Sequence, residues 1–541
     1  MRSEGSVGGS LSRVSEIGLG HWNLYFLCKL GMFWLGYLNL QPLPNIVFAA
    51  FLLLPLPWTW LRHARLLIAV PLAIALLYQD SWWPPITRLL NQPGVMDFSG
   101  KYLLELAGRF VNWTLCALLL AFVVFYIYLR HWLRFTTFTL LGLGWFSLQP
   151  LLSLAPTMAQ GSGEQVMAET GKPQDTKMSL DESLQAFYDA EQRRVTQFPP
   201  ADEAGAPFDL LIINVCSMAW DDLDAVGLKD NPLFSQMDVV FERFNSATSY
   251  SGPAAVRLLR ASCGQSSHQG LYEDNVPQQC LLMDRLRGLG FNTELAMNHN
   301  GHYDNFLGDL QTQGGLGNPV VDEHGLSRNI LGFDNSPIWR DREVLGAWWQ
   351  RRQQSDHQAS TALFYNTTTL HDGNRIVTGD GGTRLTDYRE LAQRLLQDLD
   401  AFFQQLEQSG RPVAVLLVPE HGANLHGDRM QIQGMRELPS PAITHVPVGI
   451  KLFGMGAQTE SPHLVTEPSS YLALSEFVSR LYAQSTETGT LSVDLPHLLA
   501  DLPVTPWVAE NAGTVVLEHE GIPYIRLEEQ GTWLPYPARF K

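Results

Sequence analysis

FDLLIINVCSMAWDD, residues 208–222, is an apolar strand pattern that ends on Cys216 and runs directly into acid-bearing polar sequence. Similar runs recur downstream at Phe291 to Met297, Ala362 to Tyr365, Pro412 to Val418 and Val446 to Phe453. Helical periodicity lies between them, at Gly252 to Ser262, Tyr388 to Gln408 and Ser469 to Ala483. Strands alternating with helices predict an α/β sandwich with a largely parallel sheet. In such sheets the functional site collects at the carboxyl ends of the strands. The alternating pattern from Thr514 to Leu534 reads as an antiparallel hairpin at a sheet edge.

The first 155 residues differ in kind. Apolar segments run from Trp22 to Leu40, Ile46 to Leu61, Leu66 to Tyr78, Val111 to Leu129 and Phe135 to Ala155. The first, fourth and fifth are long enough to span a bilayer. The second and third are short and interrupted by Pro55, Pro57 and Pro71, so a re-entrant hairpin is an alternative to two spans. Arg62, Arg65, Arg130 and Arg134 lie in the links that should face the cytoplasm. Everything after Ala155 then falls outside, in the periplasm of a bacterium, and a cleaved signal peptide is not indicated. Lys29, about two turns from the cytoplasmic end of its segment, is expected to reach towards the boundary.

These signals divide the chain into a disordered N-terminus over 1–20, a five-span transmembrane region over 21–157, a linker with one helix over 158–206, and a periplasmic catalytic domain over 207–541. The stretch from Asp80 to Phe110 is expected to lie at the headgroup level. Ten Lys/Arg and five Asp/Glu precede residue 161, which leaves 27 against 49 after it. A soluble part this acidic argues against a nucleic-acid partner. Cys28 and Cys116 fall in apolar segments and read as small buried hydrophobes. Cys263 and Cys280 are expected to pair in an oxidising compartment, worth about 3 kcal/mol. Cys216 is left without a partner, which a metal would explain.

Three loops after predicted strands carry ligand or nucleophile side chains: Cys216, the pair Glu420 and His421 after PVAVLLVP, and His371 in YNTTTLHDGN. A fourth element, TSYSGPAAVRLL, places Ser251 at a helix N-cap, where a phosphoryl group would meet free N–H groups and the positive end of the dipole. Thiolate, imidazole and carboxylate together suit Zn2+, with Ser251 as fourth ligand and nucleophile. Taken singly, each residue also fits a structural role: Cys216 as a core cysteine, Glu420 and His421 as a turn, Ser251 as a cap. Cys216 is the competing nucleophile, although a zinc-bound thiolate would be electronically quenched.

The order of strand, first ligand, nucleophile at a helix start and acid-His pair resembles the membrane-anchored phosphoethanolamine transferases of the alkaline phosphatase superfamily. Those that modify lipid A carry Glu, Thr and Asp-His where this chain has Cys216, Ser251 and Glu420-His421. The segments NVCSMAWDDL, FNSATSYSGPAAVRLLRASCGQ and VPEHGANLHGD instead resemble the cellulose phosphoethanolamine transferases of bacterial cellulose operons, the BcsG family, over nearly the whole length. The resemblance implies an alkaline-phosphatase-like fold, an inner-membrane location and a two-step transfer. Phosphatidylethanolamine would be the donor, the C6 hydroxyl of cellulose the acceptor, and the cellulose synthase complex a partner in biofilm matrix production. It places Tyr250, His371 and Arg436 around the phosphoryl oxygens, with His445 a further substrate contact. A phosphoglycerol transferase of the lipoteichoic acid synthase type and a non-catalytic scaffold of a polysaccharide secretion complex remain open on the same residues.

Overall fold

A computed structural model describes residues 18–35, 38, 40–56, 58–81, 108, 113–130, 132–153, 179–202, 206–273, 276–355, 359–456, 461–487, 492–528 and 531–537. The expected disorder over 1–20, the headgroup-level segment over 80–110 and residues 158–178 of the linker expected over 158–206 lie almost wholly outside these residues. The chain forms two compact units, one built from the helices before residue 154 and one from residue 179 onward.

Among the described residues of the first unit lie the apolar helices Trp22–Trp34, Pro42–Leu53, Thr59–Gln79, Trp113–Leu129 and Phe135–Ser153. They fall on the five expected segments, but their lengths differ from expectation. The first is 13 residues long, about 20 Å at 1.5 Å per residue, against a hydrocarbon core of about 30 Å. The third runs unbroken through Pro71 for 21 residues. Among the described residues it is the helix long and apolar enough to cross a membrane, while Pro42–Leu53 and Cys116–Leu129 are shorter apolar helices.

Phe26, Phe48, Leu52, Ala69 and Leu143 form the core of this unit, and a polar cluster sits beside it. Lys29 does not reach for a boundary. It is 1% exposed and pairs with Asp80 at 2.5 Å. Its Nζ also donates to Asn45 Oδ1 at 2.8 Å and to the carbonyl of Leu76 at 3.3 Å. Asp80 in turn accepts from Asn45 Nδ2 at 2.7 Å and from the backbone N–H of Gln41 at 3.0 Å. With Tyr25 Oη at 3.2 Å as a further acceptor, an ammonium held by a carboxylate and three neutral acceptors has no need to reach water, which is why the expectation fails.

The second unit is organised by a seven-stranded sheet. Its strands in chain order are β1 Asp209–Val215, β2 Val239–Asn245, β3 Asn292–Met297, β4 Thr361–Thr367, β5 Val413–Pro419, β6 His445–Phe453 and β7 His463–Val465. They lie side by side as β7-β2-β6-β5-β1-β4-β3. Every pairing is parallel except the two made by β6, which runs against both β2 and β5. The sheet is therefore mixed, with one reversed strand. β1 is buried at all seven positions because both of its faces are covered. Leu210 and Ile212 join a core with Ala255, Leu282 and Phe477; Leu211, Ile213 and Val215 join another with Trp348, Leu395 and Phe402. This is the period of two acting on a strand sandwiched between helix layers.

The sequence patterns miss β2, whose VVFERFN is broken by Glu242 and Arg243, and the three-residue edge strand β7. The C-terminal hairpin forms, but not on an edge of this sheet. Val508–Asn511, Thr514–His519, Ile522–Arg526 and Leu534–Pro535 make a separate four-stranded antiparallel sheet. The helix expected within the linker is Leu180–Glu191, started by a reciprocal capping box between Ser179 and Glu182. Its Leu184 and Phe187 pack on Val508, Val515 and Leu517 of the small sheet, so this segment belongs to the folded unit. Cys263 and Cys280 form a disulfide.

Candidate metal and catalytic centre

Register brings the first ligands together. Val215 pairs with Pro419 across the parallel β1 and β5, so the next residues, Cys216 and Glu420, leave adjacent strands at the same level. The N–H of Glu420 donates to the carbonyl of Val215 at 2.9 Å, and that of Cys216 to Thr367 at 3.0 Å. Immediately after Cys216 the chain turns through Ser217 at φ 61°, a conformation that costs energy for a residue with a Cβ and is met at sites that aim a side chain.

Ser251 is the first residue of the helix Ser251–Leu259 and Tyr250 is its N-cap, with φ −126° and ψ 145°. The expectation of Ser251 as the cap is thus off by one position. The Ser251 side chain does not close the helix; its Oγ lies 3.4 Å from Cys216 Sγ and 3.2 Å from His421 Nε2. One ligand atom each from Cys216, Glu420 and His421 lies within 4.8 Å of the others. All three side chains are buried, and Glu420 Oε2 has no hydrogen-bond partner.

A buried carboxylate oxygen without a donor is costly unless something positive meets it. Burial pushes the Cys216 thiol up to about 12 and the Glu420 carboxyl up to about 7, and holds the His421 ring well below its usual range. His421 Nδ1 is 2.9 Å from the carbonyl of Gly422. That places its proton on Nδ1 and turns the Nε2 lone pair towards Ser251. Thiol, carboxylate oxygen, imidazole nitrogen and hydroxyl converge on one point, and this donor set fits Zn2+.

Arg436 lies along the cluster, with Nη1 3.0 Å from Ser217 Oγ and 3.2 Å from His421 Nδ1. Tyr250 donates to Glu437 Oε2 at 2.7 Å, which ties the nucleophile loop to the arginine loop. His371 stacks on Phe333 with ring centroids 4.7 Å apart, and its Nδ1 is 2.9 Å from the carbonyl of Asp372. Burial, then the charge of Arg436, lowers His371 to about 4. The ring is therefore neutral at pH 7, with Nε2 as its acceptor. His445 is placed elsewhere. It packs edge-on to Trp507 at 5.1 Å, and the charged groups acting on it are Arg243 and Lys229, none of them in the cluster.

Two further residues hold the centre together and were not singled out in the sequence. Asp222 accepts from the backbone N–H groups of Ala219, Ala423 and Leu425, at 3.1, 2.7 and 3.1 Å. It pins the turn after His421 to the turn after Cys216. Gly422 is required there, since a Cβ would meet Ala219 Cβ and Asp222 Oδ2 at 2.6 Å each. Asn511, from the small C-terminal sheet, accepts from Thr248 Oγ1 at 2.9 Å and donates to Ser249 Oγ at 2.6 Å and to the carbonyl of Glu437 at 2.8 Å. The acid after WD in the 208–222 stretch offered a signal for Asp222; for Asn511, some 260 residues from Ser251, no local signal exists.

The profile described as Cellulose biosynthesis protein BcsG C-terminal domain matches residues 164–533, and that of the BcsG N-terminal domain matches residues 22–148. The chain is 43% identical over 548 residues to cellulose biosynthesis protein BcsG of Escherichia coli (strain K12), covering 96% of each chain. It is likewise 43% identical over 550 residues to the protein of that description from Salmonella typhimurium (strain LT2), again covering 96% of each. Among solved structures, it is similar to the zinc complex of the C-terminal periplasmic domain of EcEptC from Escherichia coli, with a TM-score of 0.40, 14% identity, and coverage of 58% of this chain and 93% of that one. At that score the fold is read from the chain's own sheet. Two profiles together reaching from residue 22 to residue 533, and relatives matched almost end to end, make this chain a member of the BcsG family of cellulose biosynthesis proteins.

Proposed function

We propose that the chain is a zinc-dependent phosphoethanolamine transferase of the alkaline phosphatase superfamily. It takes phosphoethanolamine from phosphatidylethanolamine and delivers it to the C6 hydroxyl of glucose units in cellulose. In this reading the protein is a multi-pass inner-membrane protein whose second unit works in the periplasm beside the cellulose synthase complex. Membership of a cellulose biosynthesis family supports the acceptor, and the apolar helices of the first unit support the location. The observation that carries the chemistry is the convergence of Cys216, Ser251, Glu420 and His421, with Glu420 Oε2 buried and without a hydrogen bond.

A zinc ion held by Cys216, Glu420, His421 and Ser251 would lower the pKa of the serine hydroxyl and offset charge on the phosphoryl oxygens. In the first step Ser251 Oγ attacks phosphorus, the P–O bond to diacylglycerol breaks, and the serine proton ends on the diacylglycerol oxygen. In the second, the C6 oxygen attacks the phosphoserine diester, the bond from phosphorus to Ser251 Oγ breaks, and the C6 proton returns to Ser251. His371, neutral and with Nε2 as acceptor, carries the proton in each step. Arg436 fixes the non-bridging oxygens with a charged planar fork, and Tyr250 is a further contact beside the nucleophile. His445 enters this scheme only as a packing residue of β6.

The test is diacylglycerol release by the detergent-solubilised full chain, with phosphatidylethanolamine and phosphatidylglycerol offered in competition. Release from phosphatidylethanolamine that disappears on zinc removal and returns on zinc addition supports the reading. Preference for phosphatidylglycerol would replace it with phosphoglycerol transfer, and no release from either would favour the scaffold.

A further inference from the structure

The carboxyl ends of four adjacent parallel strands carry a row of hydrogen bonds that ends on the metal cluster. Register places Met297, Asn366, Asn214 and Val418 side by side across β3, β4, β1 and β5. Asn214 and Asn366 are fully buried, so each amide must find partners inside the protein.

The orientation of every group in the row follows from its neighbour. Asn214 Nδ2 donates to the carbonyl of Val418 at 2.9 Å, so its Oδ1 faces Asn366. Asn366 must then present Nδ2, which donates to Asn214 Oδ1 at 2.7 Å and to Glu420 Oε1 at 2.6 Å. Its Oδ1 is left to accept from His299 Nε2 at 2.7 Å. The remaining ring nitrogen, His299 Nδ1, accepts from the backbone N–H of Gly301 at 3.2 Å. Flipping the Asn366 amide would set its oxygen against Asn214 Oδ1 and Glu420 Oε1 and its NH2 against a ring N–H. The row has one arrangement that satisfies every member.

At the far end this arrangement separates the two oxygens of Glu420. Oε1 is taken by Asn366, while Oε2 has no hydrogen-bond partner and lies 3.9 Å from His421 Nε2. We propose that Asn366, oriented by His299 and Asn214, is a positioning residue that occupies Glu420 Oε1 and thereby presents Oε2 to the zinc ion. The inference rests on the zinc reading above and deepens it, giving His299 and Asn366 a share in metal affinity without contact to the metal. Hydrogen-bonded partners of metal ligands contribute by fixing ligand direction and basicity.

Zinc affinity of the metal-free full chain in detergent, by competition with a chromophoric chelator, tests this together with the Co2+ absorption spectrum and the metal-free unfolding temperature. Asn366→Asp replaces the donor with an acceptor, and His299→Leu removes the group that orients it. Each is expected to weaken zinc binding roughly 10- to 100-fold and to alter the Co2+ bands. His299→Gln retains an N–H donor and is expected to restore binding to within about threefold of the parent, well inside that loss. Should Asn366→Asp fail to fold, the His299 pair carries the test alone. Parent affinity and spectrum in a folded His299→Leu variant would overturn the inference and leave the zinc reading intact. A parent chain that binds no zinc would overturn both.

Discussion

Among the described residues, the buried charged clusters around Lys29 and around Cys216 are built in opposite ways. Around Lys29 the ammonium, carboxylate and amide answer one another completely: Asp80 and Asn45 each bond to Lys29 and to each other. Around Cys216 the protein stops short of that, leaving Glu420 Oε2 without a donor and aiming a thiol, an imidazole and a hydroxyl into the same space. A saturated cluster fastens helices together; an unsaturated one in a buried setting waits for a ligand. The distinction lies in hydrogen-bond accounting, since charge and burial alone would place both in one class.

Substitutions can break this contrast from either side. Ser251→Ala should abolish transfer, by at least on the order of 10^4-fold, with the unfolding temperature held; a diacylglycerol-release assay and a melting curve on the same preparation check it. Lys29→Leu should do the reverse in kind. It leaves Asp80 buried and unpaired and should cost about 3–5 kcal/mol of stability, read as a lower unfolding temperature in detergent. Replacing both charges together, as Lys29→Met with Asp80→Leu, should recover most of that loss. If Lys29→Leu instead keeps full stability and loses transfer, the saturated cluster is not a fastener.

The pH dependence of transfer sharpens the account of His371. A base works when neutral, and this ring is lowered to about 4 by burial and by Arg436. The step that consumes the acceptor hydroxyl should therefore be flat from about pH 8 to pH 5 and fall as the pH drops through about 4, where an unperturbed histidine would begin to fail near 6.5. His371→Gln should lower the plateau by roughly 100-fold, and single-turnover kinetics with preformed intermediate would report both. Asn511→Ala is the mildest change. It unfastens the loop before Ser251 from the Arg436 loop, and should cost about 1–3 kcal/mol of stability with a loss of transfer of about tenfold, read by melting and by the release assay.

The sequence revealed much of the site because its ligands sit where strands end. β1 is a continuous apolar run, visible as such, and the residue after it is a cysteine without a partner. β5 is equally plain, and the Glu-His pair follows it at once. β2 was hidden because two charged residues interrupt a seven-residue strand that packs through its remaining positions. The reversal of β6 was hidden too, since an apolar run carries no sign of direction. Ser251 is legible at a helix start, but the structure moves it one residue inward, because Tyr250 adopts the extended cap conformation without offering a capping side chain. The family resemblance implies a substrate contact for His445; the fold sets its ring against Trp507. The pairing of Lys29 is not legible locally, because its partner, Asp80, lies about 50 residues away. Asn366 and Asn511 align the site through contacts of long sequence separation that no local pattern encodes, whereas Asp222 is legible only as an acid after the first ligand, not by its partners beyond residue 420.

Peptide mapping by mass spectrometry, after incubation of the zinc-loaded full chain with phosphatidylethanolamine and no acceptor, reads the nucleophile and the covalent intermediate together. A phosphoethanolamine adduct is expected on the peptide containing Ser251, absent from Ser251→Ala. An adduct on Cys216, or none with zinc demonstrably bound, would contradict it.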